Sequence, residues 1–296
     1  MLSCYSSGPR LLVVVLALVV APAAALKTVV LGSGDPWLSL CTAKDAQLRG
    51  MASTCVSRKQ EEAERMLWGK GGFEGGGPSP VKVVDGAENI GEALSGAEAV
   101  VLNGAGFGGL TKEFASAALN NAPALSRCAL CVEAGANADA VAAVRDLCAA
   151  RDVPLNVIRV GALKGGGPGN LDDGSEDLGL SRHFYDSNAD LLKFQSDSYC
   201  DQYLCGVSAK NGDAPANFFQ KVFAGQSVGR ADGITSRAVA AKALVASLLV
   251  DQAGLDLTLQ VEPGMPAVVP QDVAAWTAFF ATCAEAGEAK IVGPVD

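Results

Sequence analysis

The feature that most constrains this chain is an alternation of short, β-branched runs with longer segments of helical character. Runs predicted as strands cover residues 27–32, 51–57, 81–86, 97–106, 127–135 and 155–161. Segments predicted as helices cover residues 35–50, 60–69, 88–96, 111–122 and 138–152. This alternation is typical of an α/β fold in which a parallel sheet is covered by helices on both faces. The carboxyl ends of such strands share one edge, where ligands bind.

A glycine-rich segment at 164–179 separates the sixth strand from the rest of the chain. Beyond it we predict a helix at 233–251, a strand at 255–261 and a helix around 272–287. The sequence therefore predicts a ligand-binding core over 26–164 and a carboxyl-terminal lobe over 165–296. The lobe is expected to complete the fold and to supply a candidate substrate pocket.

Residues 1–25 have the pattern of a secretory signal peptide. Arg10 precedes an apolar run at 11–20, and the small residues Ala23 and Ala25 stand where a signal peptidase needs them. A membrane anchor is the alternative, but the run is shorter than the roughly 20 apolar residues that span a bilayer. We expect cleavage after Ala25, no stable membrane span afterwards, and entry into the secretory route. In an organism whose plastids are reached by that route, the plastid is the alternative destination.

Composition excludes several kinds of partner and site. The net charge is −9 and no cluster of Lys and Arg interrupts it, which argues against nucleic acid. A single histidine among scattered carboxylates predicts no metal site. Cys200 and Cys205 are the better candidates for a disulfide. The cysteines predicted to be buried free thiols lie in core segments, at Cys41, Cys55, Cys128, Cys131 and Cys148.

The turn after the first strand, "GSGDPW", carries part of a dinucleotide-binding fingerprint. Gly32 and Gly34 match the first two glycines of G-x-G-x-x-G, but Trp37 stands at the third. In the spacing G-x-x-G-x-x-G only Gly32 matches. Asp35 and Pro36 are predicted to be the N-cap and the first residue of the following helix. A carboxylate at this place would repel a phosphate, so the turn argues both for and against a cofactor.

The ends of the second and third strands favour an adenosine site. Ser57 and Arg58 lie about 25 residues after Gly32, where the side chain that reaches the adenosine ribose is expected. An arginine there accommodates a 2′-phosphate, so NADP is preferred over NAD. A solvated surface charge is the alternative for Arg58. Asp85, at the end of the third strand, is placed to approach the adenine.

Three segments resemble the short-chain dehydrogenase/reductase superfamily, specifically its atypical, NmrA-like branch. They are "VLNGAG" at 101–106, "VIRVGALKGGGPG" at 157–169 and "GITSRAVAAKALVASLL" at 233–249. The resemblance extends over roughly residues 27–285, although Val160 stands where the family usually has proline. It implies a Rossmann-type doubly wound parallel sheet with a small carboxyl-terminal α/β lobe, and a bound NADP or NAD.

The resemblance also implies roles for individual residues. Carried over by position, the cofactor contacts are Gly32, Ser33 and Gly34 at the pyrophosphate, Ser57 and Arg58 at the adenosine ribose and its phosphate, Asp85 at the adenine, and Asn103, Gly104 and Ala105 on the ribose side.

Reductases of this superfamily use a tyrosine followed four residues later by a lysine, which lowers the pKa of the tyrosine for proton transfer. No tyrosine of this chain has that lysine. Two hypotheses follow. One is an NADPH-linked oxidoreductase of unknown substrate, with Tyr185, Tyr199 or a water as proton donor. The other is a non-catalytic protein, either a dinucleotide sensor or an assembly and interaction protein with a protein partner.

Overall fold

The fold was analysed in a computed structural model of the chain. The structure describes residues 25–69, 72–73, 79–86, 89–106, 109–136, 138–168, 179–186, 197–198, 200, 206–214, 233–262, 269–270 and 272–291. The predicted signal peptide, apart from Ala25, and Cys205, one of the two disulfide candidates, lie outside these residues.

The described strands and helices follow one another in the predicted alternation. The strands are β1 (Lys27–Gly32), β2 (Ala52–Ser57), β3 (Val81–Asp85), β4 (Ala99–Asn103), β5 (Arg127–Glu133), β6 (Leu155–Val160), β7 (Ala162–Lys164), β8 (Gly206–Asn211), β9 (Ile234–Ser236), β10 (Asp256–Glu262) and β11 (Glu288–Ile291). The helices are α1 (Pro36–Leu48), α2 (Gln60–Trp68), α3 (Ile90–Ser95), α4 (Lys112–Asn120), α5 (Ala138–Ala149), α6 (His183–Asp186), α7 (Arg237–Leu249) and α8 (Val273–Ala286).

Nine of these strands form one sheet in the order β11-β8-β10-β6-β5-β4-β1-β2-β3. From β3 to β6 the pairs are parallel and have the 3-2-1-4-5-6 order of a Rossmann sheet, which confirms the predicted fold class. β10 continues the sheet in parallel beside β6, and β8 and β11 add two antiparallel pairings. The strand order reverses between β1 and β4, so the ligand crevice of this fold lies at their carboxyl ends.

Helices cover both faces of the sheet because its strands are apolar on both sides. In β1, Val30 packs into the core under α1, α2, α7 and α8, whereas Val29 and Leu31 pack into the core under α3, α4 and α5. Cys128 and Cys131 of β5 are likewise divided between the two cores. The five cysteines predicted as buried thiols are all buried.

The carboxyl-terminal lobe departs from the prediction in two ways. The segment predicted as one helix at 233–251 begins instead with β9, which pairs with β7 in a separate two-stranded sheet, and the helix starts at Arg237. β8 and β11 were not predicted at all, because each is short and "GVSAKN" and "EAKI" lack a clear apolar alternation. Within the described part of the chain, no helix is long and apolar enough to cross a membrane.

Candidate functional site

The structure brings most of the predicted cofactor residues to one edge of the sheet. Gly32 at the end of β1 is in register with Asn103 at the end of β4. Ser57 at the end of β2 is in register with Asp85 at the end of β3. Because β1 lies between β2 and β4, these four residues follow the carboxyl edge beside the point where the strand order reverses.

The two glycines of the β1 turn are required by contacts inside the protein. A Cβ on Gly32 would lie less than 3.0 Å from the backbone of Asn103, and a Cβ on Gly34 less than 3.0 Å from the backbone of Ala105. Real Cβ atoms do not approach so closely, so the turn after β1 packs on the segment after β4 only because both positions lack side chains.

The backbone donors of this turn are also engaged internally. The Gly34 N–H donates to the Asn103 carbonyl at 3.1 Å, and the Asp35 N–H donates to the Ala105 carbonyl at 2.6 Å. Pro36 has no N–H, and the Leu38 N–H donates to Asp35 Oδ1 at 2.8 Å. The predicted N-cap of α1 is therefore confirmed. It places the protein's own carboxylate at the helix end that binds phosphate in this fold.

Asn103 connects β4 to α1. Its side chain is 1 % exposed, and its Nδ2 donates to the Asp35 carbonyl at 2.7 Å and to Ser39 Oγ at 2.9 Å. Its Oδ1 accepts the Ala105 N–H at 3.1 Å. Ala105 is fully buried as well. Asn103 and Ala105, which were predicted for the ribose side, are therefore buried, and Asn103 joins the end of β4 to the start of α1.

Gly106 and Gly109, which follow β4, each form a hydrogen bond with the side chain of a residue near the end of another strand. The exposed Ser33 hydroxyl donates to the Gly109 carbonyl. The Gly106 N–H donates to Glu133 Oε1 at 3.2 Å, so this carboxylate at the end of β5 orients the loop. The first contact ties Gly109 to the β1 turn, and the second ties Gly106 to the end of β5.

Arg237 is the residue of this site that the sequence did not predict. Its guanidinium is 4 % exposed and meets the Asp35 carboxylate, with Nη2 2.8 Å from Oδ2 and Nε 3.1 Å from Oδ1. Its Nη1 donates to the Gly165 carbonyl at 2.7 Å and lies 3.3 Å from Oδ1 of the fully buried Asp197. The guanidinium also stacks over the Trp37 ring, 5.0 Å from its centroid. The available signal was a charged residue at the start of a largely apolar helix, where a buried charge requires a partner.

The electrostatics of this cluster follow from its burial. Burial alone would lower the pKa of Arg237, but the charge and hydrogen bonds of Asp35, with Asp197, raise it above its ordinary value. Arg237 is therefore a permanent cation between two carboxylates.

The adenosine side of the edge is more open. Ser57 is half-buried, and its Oγ accepts the Lys59 N–H at 3.2 Å. Its carbonyl accepts the Gly86 N–H at 3.0 Å, which joins the ends of β2 and β3. Arg58 is exposed and has no hydrogen bond or ion pair to any residue that the structure describes. Its charge is available to a ligand.

An aromatic group lies beside the Arg237 cluster. Trp37 meets Phe184 edge to face at 5.4 Å, and Phe184 meets Tyr185 at the same distance. The Tyr185 ring packs so closely on Gly167 that a Cβ there would overlap its phenol carbon. Nδ1 of His183, the only histidine, is buried without a hydrogen-bond partner among the described residues. Tyr199, the other tyrosine predicted as a proton donor, lies outside the described residues.

Possible metal ligands are dispersed. Among the described residues, no three His, Cys, Asp or Glu side chains come together in a way that could hold a metal ion.

Comparisons with known proteins give similarity at the level of the fold. No protein-family model matches the sequence, and no curated protein sequence matches it. A Rossmann-fold NAD(P)-binding family protein from Shigella flexneri is 13% identical, with 83% of this chain and 97% of that chain covered and a TM-score of 0.45. The UDP-N-acetylglucosamine 4-epimerase from Bacillus cereus is 12% identical, with 88% and 86% covered and a TM-score of 0.41. Yeast methylglyoxal/isovaleraldehyde reductase Gre2, solved with NADPH, is 9% identical, with 78% and 76% covered and a TM-score of 0.43.

The strand order by itself puts this protein in the class of Rossmann-type α/β folds, as the sequence predicted.

Proposed function

We propose that this protein binds an NADP-type dinucleotide at the carboxyl edge of its sheet and acts as a non-catalytic sensor of it. The observation that carries the proposal is Arg58, exposed and without a partner among the described residues, directly after β2. In this fold the adenosine ribose lies at that place, and an arginine there accommodates a 2′-phosphate. Ser57 and Asp85, paired across β2 and β3, border the same place.

The non-catalytic part of the proposal depends on the proton donor. Hydride transfer to a carbonyl needs an acid within hydrogen-bond reach of the carbonyl oxygen. No tyrosine of the chain is followed by a lysine four residues later, and Tyr185 packs its ring on Gly167 beside the Arg237 cluster. Binding without turnover is therefore the function that these residues support.

The test is calorimetric titration of the protein with NADP, NADPH and NAD, alongside an Arg58→Ala variant. We expect NADP to bind more tightly than NAD, and the variant to weaken NADP binding about tenfold while NAD binding is unchanged. Lys59→Ala is the matched control, because this neighbouring cation already pairs with Glu62 at 3.1 Å. Equal weakening in both variants would show a general charge effect and would contradict the role given to Arg58.

The structure of the β1 turn favours a second candidate, an assembly or interaction protein that keeps the Rossmann fold without a cofactor. Asp35 caps α1 with a negative charge, and Pro36 removes one of its amide donors. Both features weaken a phosphate site. If none of the three dinucleotides binds, this candidate is favoured over the sensor.

A further inference from the structure

The ion pair between Asp35 and Arg237 joins parts of the chain that are far apart in sequence. Asp35 caps the first helix, and Arg237 is the first residue of α7, 202 positions later. Arg237 also holds the Gly165 carbonyl and Asp197, so the turn after β1 is tied to the segment after β7 and to the lobe.

A buried ion pair is weak evidence of a purely stabilising role. The cost of removing both charges from water is large, and a well-packed apolar pair of the same volume often stabilises a protein equally well. Here the described cluster has two carboxylates, Asp35 and Asp197, around one guanidinium. Of the two, the Asp35 carboxylate lies at the amino end of α1, where the helix dipole favours an anion.

We propose that the Asp35–Arg237 pair is an autoinhibitory contact of the dinucleotide site. The Asp35 carboxylate holds the Leu38 N–H, at the helix end that receives a pyrophosphate in this fold. A dinucleotide that reaches the turn therefore competes with the protein's own anion, and Arg237 is the cation for which both compete. The inference rests on the proposed function, because it concerns the regulation of that same site.

Displacement of Asp35 has a structural consequence. Because the Arg237 side chain is only 4% exposed, a pyrophosphate can take it over only if the guanidinium turns toward the crevice, leaves its contacts with Gly165 and Asp197 and changes its stacking on Trp37. Dinucleotide binding therefore weakens the contacts of the segment that follows β7. A non-catalytic sensor requires such a conformational change on binding its ligand.

The test compares NADP binding by the full-length protein and its Asp35→Asn variant, each expressed with the amino-terminal segment. Asparagine is as good an N-cap as aspartate, so the variant removes the competing charge while keeping a capping oxygen. We expect NADP to bind at least about tenfold more tightly to the variant. Asp45→Asn is the matched control, since Asp45 lies on the same helix and pairs with Arg49 at 2.7 Å. It should bind NADP as the unmodified protein does.

A second measurement needs no variant and covers the case in which Asp35→Asn does not fold. Hydrogen exchange of the unmodified protein should become faster around Gly165 when NADP is added, because the Gly165 N–H donates to Asp197 Oδ1 at 3.0 Å and this carboxylate loses its contact with Arg237.

The outcomes separate the two proposals. Equal NADP affinity in the unmodified protein and Asp35→Asn, or unchanged or slower exchange around Gly165 on binding, would overturn the autoinhibitory contact and leave the proposed function standing. Absence of NADP binding by the unmodified protein and by both variants would overturn the two proposals together. Tighter binding by Asp35→Asn alone supports both.

Discussion

Arg159 on β6 and Asp256 on β10 form an ion pair with two hydrogen bonds across adjacent parallel strands. Nε donates to Oδ1 at 2.7 Å, and Nη2 donates to Oδ2 at 3.0 Å. Arg145 of α5 also donates to this carboxylate, and Asp213 lies 3.2 Å from Arg159. The pair fastens β10 of the lobe to β6, the last strand of the preceding 3-2-1-4-5-6 series.

The Asp256 carboxylate predicts a loss of stability in acid. Burial would raise its pKa, but Arg159 and then Arg145 outweigh burial and lower the pKa below its ordinary value. A lowered pKa in the folded state gives stability that is present above the unfolded pKa of about 4 and is lost as the pH falls through the folded value. We expect Asp256→Asn to lower the free energy of unfolding by about 2 kcal/mol at pH 7. The difference from the unmodified protein should narrow below about pH 4.

Urea denaturation of both proteins between pH 7 and pH 3 would measure this. A difference of the same size at both ends of the range would contradict the assignment. Arg145→Ala serves as a control, because the Arg145 side chain is 52% exposed. It should cost at most about 1 kcal/mol.

Removing Arg237 should be among the more destabilising single changes. Arg237→Met keeps much of the side-chain volume but leaves Asp35 and Asp197 buried without their shared cation. We expect a loss of about 3–5 kcal/mol in the free energy of unfolding, measured by chemical denaturation. Combining it with Asp35→Asn should cost less than the sum of the single changes, since the two residues interact directly. Additive losses would argue against that coupling.

Glycines 34 and 91 should respond to alanine in opposite directions. A Cβ on Gly34 would collide with the Ala105 backbone, so Gly34→Ala should destabilise the protein by about 1–3 kcal/mol. Gly91 lies in α3 with no atom within 4 Å of the added Cβ, so Gly91→Ala should stabilise it by about 0.5–1 kcal/mol. Thermal unfolding of the two variants tests the pair, and a stabilised Gly34→Ala would show that the turn is looser than its contacts indicate.

The amino-terminal segment gives a prediction about processing. If residues 1–25 are a signal peptide, the protein made in a secreting eukaryotic host should begin at Leu26. Mass spectrometry of the intact secreted protein would give its first residue. Recovery of a chain that retains Arg10 and the apolar run at 11–20 would favour the membrane anchor instead.

The sequence predicted the fold well where structure depends on neighbouring residues or on the repeated alternation of strand and helix. β-branched runs gave the six strands of the parallel series, and Asp35-Pro36 gave the start of α1. Local patterns failed where structure depends on distant partners. β9 has three residues and forms only because β7 lies beside it. Arg237 is placed by an Asp that precedes it by 202 residues, which no local spacing can encode.

The candidate site, too, was predicted only where it depends on local sequence. The sequence identified Gly32 and Gly34, but their reason for being glycine is the backbone of the segment after β4. Asn103 was expected near a ribose, and in the structure its amide lies under the turn, bonded to Asp35 and Ser39. Arg58 is exposed directly after β2, and its contact with the adenosine phosphate stays a prediction.

The position of β10 has a consequence for how the protein is made. During synthesis β6 emerges about a hundred residues before its neighbour β10, so a nascent chain that ends between them exposes an unpaired, apolar strand edge to the cytosol or to a translocation channel. Parallel pairing of this separation is slow to form and open to aggregation. A ribosome-bound intermediate of this length should therefore depend on chaperones until the last third of the chain is complete.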